Sequence, residues 1–151
     1  MLGISRQTDY AVRVVLHLAC LPAGTQVSIG EIAESRSLPM AFVRRLIKPL
    51  VSRGLLASTR GSAGGIRLAR PAADISLLDV VQALEGEVSL NQCTDAEKGC
   101  PLAHSCPVHS VWTGADQVLA AHLGSVRFDA LALGPHGHVG AHQKIHEAAG
   151  A

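Results

Sequence analysis

Between Ser5 and Arg70 apolar residues recur three times at helical spacing and then flank a run of glycines, and this order constrains the fold more tightly than any other feature of the chain. Ala11, Val14, Val15 and Leu18 follow the i, i+3, i+4, i+7 pattern of one helix face, predicting a first helix from Ser5 that closes near Pro22-Ala23-Gly24. Ser28-Ile29-Gly30-Glu31 has the reciprocal serine and glutamate of a capping box, so a second helix starts there, buries Ile29, Ile32 and Ala33, and ends near Ser37. Pro39 suits the first turn of a third helix, in which Val43, Leu46, Ile47, Leu50 and Val51 form one stripe before Gly54. Pro49 lies within that helix, where the missing backbone donor and the ring clash predict a kink or tightened turn.

Residues 55–60 and 66–70 then flank Gly61-Ser62-Ala63-Gly64-Gly65 as the strands of a hairpin would. The expected class is mainly α with a small β-hairpin. Two short helices with a tight connection, outward cations on the second and a basic hairpin after it are the winged form of the helix-turn-helix. A fourth helix is expected from Ser76 to Glu85-Gly86, and a longer one from Pro107 to Leu123. A short helix containing Phe128 and Leu131 follows. These elements divide the chain into a DNA-binding module over 1–70, a sensor loop and dimerisation helix over 71–133, and a flexible tail over 134–151. The tail holds His136, His138, His142 and His146, the last two at i, i+4; its Gly and Ala content favours flexibility over metal binding.

Charge supports the same division. Residues 1–70 carry ten Lys and Arg against three Asp and Glu, a balance of +7, and residues 71–151 carry three against nine, a balance of −6. A basic first half is suited to a polyanion. The third helix would place Met40, Ala41, Arg44 and Arg45 near base edges in the major groove, with Lys48 near phosphate; Ser28 and Ser62 join the same interface. Arg60 would enter a narrow minor groove, and the glycines would permit positive φ and close approach of the hairpin to DNA. The partner expected is double-stranded DNA with a palindromic operator, which calls for a two-fold protein. The stripe Val111, Trp112, Ala115, Val118 and Leu119 of the long helix has little chain left to cover it, so a homodimer is expected to bury it. With no secretory signal and no apolar run long enough to span a bilayer, the expected compartment is the cytoplasm.

Three of the four cysteines fall in one turn-rich segment, with the spacing Cys93-x6-Cys100-x5-Cys106-x2-His109. Thiolates suit an iron–sulfur cluster, zinc or Cu(I), and the irregular spacing with proline after two of the cysteines is closer to cluster ligation than to paired zinc knuckles. Structural zinc and redox-active thiols are the alternatives, and His109, His104 or a residue from elsewhere is open as fourth ligand. Cys20, beside the apolar face of the first helix, reads as a small core residue. No nucleotide-binding glycine pattern, nucleophile elbow or paired-carboxylate site is present, so the chain is not expected to be an enzyme. A cluster-bearing electron-transfer component is the rival of another class.

Taken together, Thr8-Asp9-Tyr10-Ala11-Val12-Arg13, Arg60-Gly61 with Gly64-Gly65, the run Pro71-Ala72-Ala73-Asp74-Ile75-Ser76-Leu77 and the three cysteines resemble the iron–sulfur-dependent winged-helix repressors of bacteria typified by IscR, NsrR and RirA, over roughly residues 1 to 133. The resemblance implies a homodimer with crossing long helices, and cluster ligation by Cys93, Cys100 and Cys106. It also implies minor-groove insertion of Arg60. Asp9 is similar to the aspartate that completes the cluster in the NsrR type, whereas His109 is similar to the fourth ligand of the IscR type. Pro101-Leu102 and the 71–77 run are similar to the RirA iron sensors. Nitric oxide, iron or redox state is the signal such a resemblance implies.

Overall fold

The computed structural model describes residues 3–62, 64–95 and 99–134. The histidines of the 134–151 tail therefore lie outside the described residues. Six helices and one hairpin follow in the order α1 (Arg6–Ala19), α2 (Ile29–Ser35), α3 (Met40–Ser52), β1 (Leu56–Thr59), β2 (Gly65–Leu68), α4 (Leu77–Glu85), α5 (His109–Ser125) and α6 (Phe128–Leu133), with a 3₁₀ turn over Ala72–Asp74 before α4.

The caps explain the starts. Ser5 accepts from the Thr8 N–H, and Ser28 and Ser76 each form a complete capping box, with Glu31 and Asp79 respectively. Between α2 and α3 the backbone turns at Ser37, whose φ of 51° is in the left-handed region and costs a non-glycine residue some strain. Leu38 N–H then reaches back to the Ala33 carbonyl at 2.8 Å, and Pro39 serves as N-cap of α3. α3 continues as one helix through Pro49 to Ser52.

One core holds these parts together. Ala11, Val14, Val15 and Leu18 of α1 meet Ile32 of α2 and Val43, Leu46 and Leu50 of α3, with Leu55, Leu56 and Ile66 closing the hairpin side. Val51, placed on the core stripe by periodicity, is 37% exposed because the stripe turns toward solvent at the end of α3. Cys20 is also not a core residue; it is the half-buried C-cap of α1.

β1 and β2 pair antiparallel in the register Leu56 with Leu68 through Thr59 with Gly65. Residue Val27, just before α2, adds a bridge to Ile66 through hydrogen bonds in both directions, at 3.0 and 2.8 Å. After α5 the chain packs back on α1 and on the turn before α4. Phe128 is fully buried, its N–H donates to the Ile75 carbonyl at 3.0 Å, and Leu77 N–H donates to Val126 at 2.9 Å.

α5 itself is poorly covered. Of its 17 residues only Asp116 is buried. Trp112, Ala115 and Leu119 are half-buried, and Val111 and Val118 are 64% and 71% exposed.

Candidate nucleic-acid interface and cysteine loop

The N-terminus of α2, the N-terminus of α3 and the hairpin surround a cleft of about 420 Å³. Ser28, Met40 and Arg44 line it together with Ser58, Thr59, Gly61, Gly64 and Gly65. Ala41, Arg45, Lys48, Arg60 and Ser62 are exposed.

The cations are not equivalent. Arg44 Nη2 lies 3.5 Å from Met40 Sδ, one turn earlier, which keeps its head on the cleft side. The Arg45 guanidinium instead stacks on Phe42 at 4.4 Å, and Phe42 meets Tyr10 of α1 edge to face at 5.9 Å. Several other cations of the basic half have partners within the chain. Arg13 pairs with Asp9 at 3.0 Å, an acid already counted in the balance of +7, whereas Arg70 pairs with Asp79 of the acidic half at 3.3 Å and is the one charge by which that balance overstates what is left for a partner.

The hairpin glycines serve the fold as well as any ligand. Gly61 has φ 107°. Gly64 and Gly65 do not need positive φ; a Cβ on Gly64 would press into the Thr59 carbonyl, and one on Gly65 would come within 2.7 Å of the Val27 carbonyl oxygen. Close approach of protein backbone to protein backbone therefore accounts for two glycines that the sequence suggested for DNA approach.

The cysteine segment is a series of turns. Ala103 N–H bonds to the Cys100 carbonyl at 3.1 Å, Cys106 N–H to Leu102 at 2.9 Å, and His109 N–H to Cys106 at 3.2 Å. Cys93, Cys100 and Cys106 are all half-buried, free thiols. Among the described residues no three His, Cys, Asp or Glu side chains converge closely enough to hold a metal ion, so the three thiols share one loop and not one point. The donor set nonetheless suits a thiophilic centre, and one further observation bears on it: His109 Nδ1 is buried without a hydrogen-bond partner. Asp9 faces solvent in its ion pair with Arg13, and His104 is exposed.

Two anchors invisible in the periodicity hold the elements on either side of this loop. Asp116 accepts from the Leu90 N–H at 2.8 Å, so the only buried side chain of α5 holds the start of the cysteine segment. Glu85, at the C-terminal end of α4, accepts from Thr8 Oγ1 at 2.5 Å and Ser5 N–H at 3.1 Å. The hydroxyls of Ser5 and Thr8 and the Ser5 N–H hold its carboxyl below the usual carboxylate range. The signals were a threonine on the core side of α1 and a single aspartate in an otherwise apolar helix.

A helix-turn-helix with a hairpin wing, exposed cations on its second helix and a cysteine loop attached to a half-covered helix define a DNA-binding regulator, not an enzyme. A family profile described as Rrf2, iron-dependent transcriptional regulator, matches residues 4–133, and the chain belongs to this family. It is similar to Protein aau3 of Rhizobium meliloti (strain 1021), at 38% identity over 71% of this chain and 70% of that protein. It is also similar to the HTH-type transcriptional regulator IscR of Xenorhabdus nematophila, at 29% identity over 81% of this chain and 74% of the other. Among solved structures it resembles CymR, the global cysteine regulator of B. subtilis, with a TM-score of 0.71 and 25% identity over 87% of this chain and 97% of that one. No helix among the described residues is long and apolar enough to cross a membrane.

Proposed function

We propose that the chain is a homodimeric, cytoplasmic transcriptional repressor that reads a palindromic operator and carries an iron–sulfur cluster in its cysteine loop as the sensor. The observation that carries the DNA reading is the cleft in which Ser28, Met40 and Arg44 meet the hairpin glycines on the side of the exposed cations. α3 enters the major groove, Arg60 the adjacent minor groove, and Lys48 meets phosphate. Two copies joined through Val111, Trp112, Ala115, Val118 and Leu119 of α5 supply the two half-sites.

Cys93, Cys100 and Cys106 would hold the cluster, with His109 favoured over Asp9 as fourth ligand because its Nδ1 is buried without a partner. Bound there, a cluster supplies reactivity toward nitric oxide, iron supply or oxidants. The chain's own part is to transmit the state of the loop. Asp116 links Leu90 to α5, and Glu85 links the end of α4 to the start of α1. A change in the loop thus reaches both the helix that pairs two copies and the helix packed on α3. A regulatory differential on the order of 1 to 3 kcal/mol between DNA-competent and incompetent dimers suffices for such a switch.

A second reading has its own support. The thiols do not converge among the described residues, and the fold resembles that of a cysteine regulator, so the loop would then be scaffold or a structural zinc site, with another effector. Anaerobic purification with visible absorption and iron, sulfide and zinc analysis separates the two. Iron and sulfide in stoichiometric amount, with operator affinity that changes on chelation or nitric oxide, supports the sensor; zinc alone, or indifference to metal state, supports the alternative. On the DNA side, Arg44→Ala is expected to lose about 1 to 3 kcal/mol on the preferred sequence and relax preference at one position. Lys48→Ala should weaken all sequences alike and reduce the salt slope by about one. Negligible effects from both in a titration at several salt concentrations would remove α3 as the reader.

A further inference from the structure

The last turn of α1 and the end of α2 bring together three polar groups that neither the DNA interface nor the cysteine loop uses. His17 is only 3% exposed. Cys20 follows three residues later, on the same side of the helix. From the C-cap of α2, Arg36 brings Nη2 to 3.8 Å from Cys20 Sγ. Burial first, and then the positive charge of Arg36, hold the His17 pKa below the ordinary imidazole value, against the opposing pull of Glu31. The ring is therefore neutral at pH 7.

Two atoms of this group are buried without hydrogen-bond partners: His17 Nδ1 and Arg36 Nε. Arg36 Nε carries an N–H and can only donate, while a neutral imidazole has one nitrogen free to accept. Buried polar atoms are nearly always paired, so Arg36 Nε calls for an acceptor and His17 Nδ1, in the tautomer protonated on Nε2, for a donor. Cys20, unlike His17, is only half-buried.

We propose that Cys20 is a redox modification site, oxidised by hydrogen peroxide to a sulfenic acid held between Arg36 and His17. The thiol sulfur attacks one peroxide oxygen; an S–O bond forms as the O–O bond breaks. Sulfur gives up two electrons, and the departing hydroxide takes the thiol proton to leave as water. The product offers one accepting oxygen and one O–H, the complement of the two unpaired atoms. An ordered water has the same complement and is the rival occupant. The site is independent of the cluster reading, because it shares no residue with the cysteine loop.

The test treats the full-length protein with hydrogen peroxide in the presence of dimedone and maps the adduct by tryptic peptide. Residues 14–36 form a peptide with Cys20 as its sole cysteine, so it is read separately from Cys93, Cys100 and Cys106. The expected result is a dimedone adduct on the Cys20 peptide, which runs over 14–44 in Arg36→Ala, forming about tenfold more slowly in that variant and recovering most of its rate in the charge-keeping Arg36→Lys. His17→Gln, checked like the others for native circular dichroism, should shorten the lifetime of the untrapped sulfenic acid. An unmodified Cys20 peptide while the loop cysteines are labelled would overturn the proposal. Labelling at equal rate in wild type and both Arg36 variants would do so too, leaving an ordinary thiol and an ordered water between His17 and Arg36.

Discussion

At the scale of single residues, the most informative group is Glu85. An acid at the end of α4 opposes that helix's own dipole, yet it faces the N-terminal end of α1, where negative charge is favoured. Its carboxyl lies below its unfolded pKa. The stabilisation is therefore complete above about pH 4.3 and is lost as pH falls through the lower folded value. Because the group is largely open to solvent, Glu85→Gln is expected to cost only about 0.5 to 1 kcal/mol at pH 7. The gap between the two melting curves should narrow as pH falls below about 4.3. A gap that persists in acid would show that the charge is not its source. The sequence marks this latch only by the threonine on the core side of α1, since its partners lie 77 and 80 residues from Glu85 and follow no period.

At the scale of elements, the wing is held by backbone approach. Gly64→Ala sets a Cβ 2.9 Å from the Gly61 carbonyl oxygen and still closer to Thr59, and only main-chain movement can relieve that. The expected loss is about 1 to 3 kcal/mol of stability, with DNA affinity falling alongside. Ser62→Ala, at the exposed tip, should leave the melting temperature unchanged and report on DNA contact alone. A normal melting temperature for Gly64→Ala would show that the turn has a second, equally good path. The three helices and the hairpin were legible because their apolar residues repeat at 3.6 or flank a glycine run. The capping boxes of Ser28 and Ser76 marked starts to the residue. The bridge from Val27 to Ile66 was not legible, since one paired residue has no period. Nor was the stacking of Arg45 on Phe42, which separates it from Arg44 although both were equal as outward cations in sequence.

At the scale of the whole molecule, α5 is the unfinished part. A glutamate at Val111 or Val118 would be harmless in a single chain, where both are mostly exposed. Across a dimer interface it would be a buried, unpaired charge. Val111→Glu with Val118→Glu is thus expected to raise the dimer dissociation constant by on the order of 100-fold or more, read by light scattering across a dilution series. An unchanged mass would place the dimer interface elsewhere. The sequence singled out this face by its apolar stripe, of which the described residues leave Val111 and Val118 mostly exposed.

The small bridge at Val27 has a further consequence for how such a molecule can be controlled. Its two hydrogen bonds fasten the wing to the residue that leads into α2, and the α2 to α3 turn is fastened in its own way by Leu38 N–H on Ala33. Wing and reading helix therefore behave as one jaw of a pair of callipers, set at a fixed gauge. In the proposed dimer, a signal that alters operator choice acts on the distance between two such jaws rather than on the bite of either.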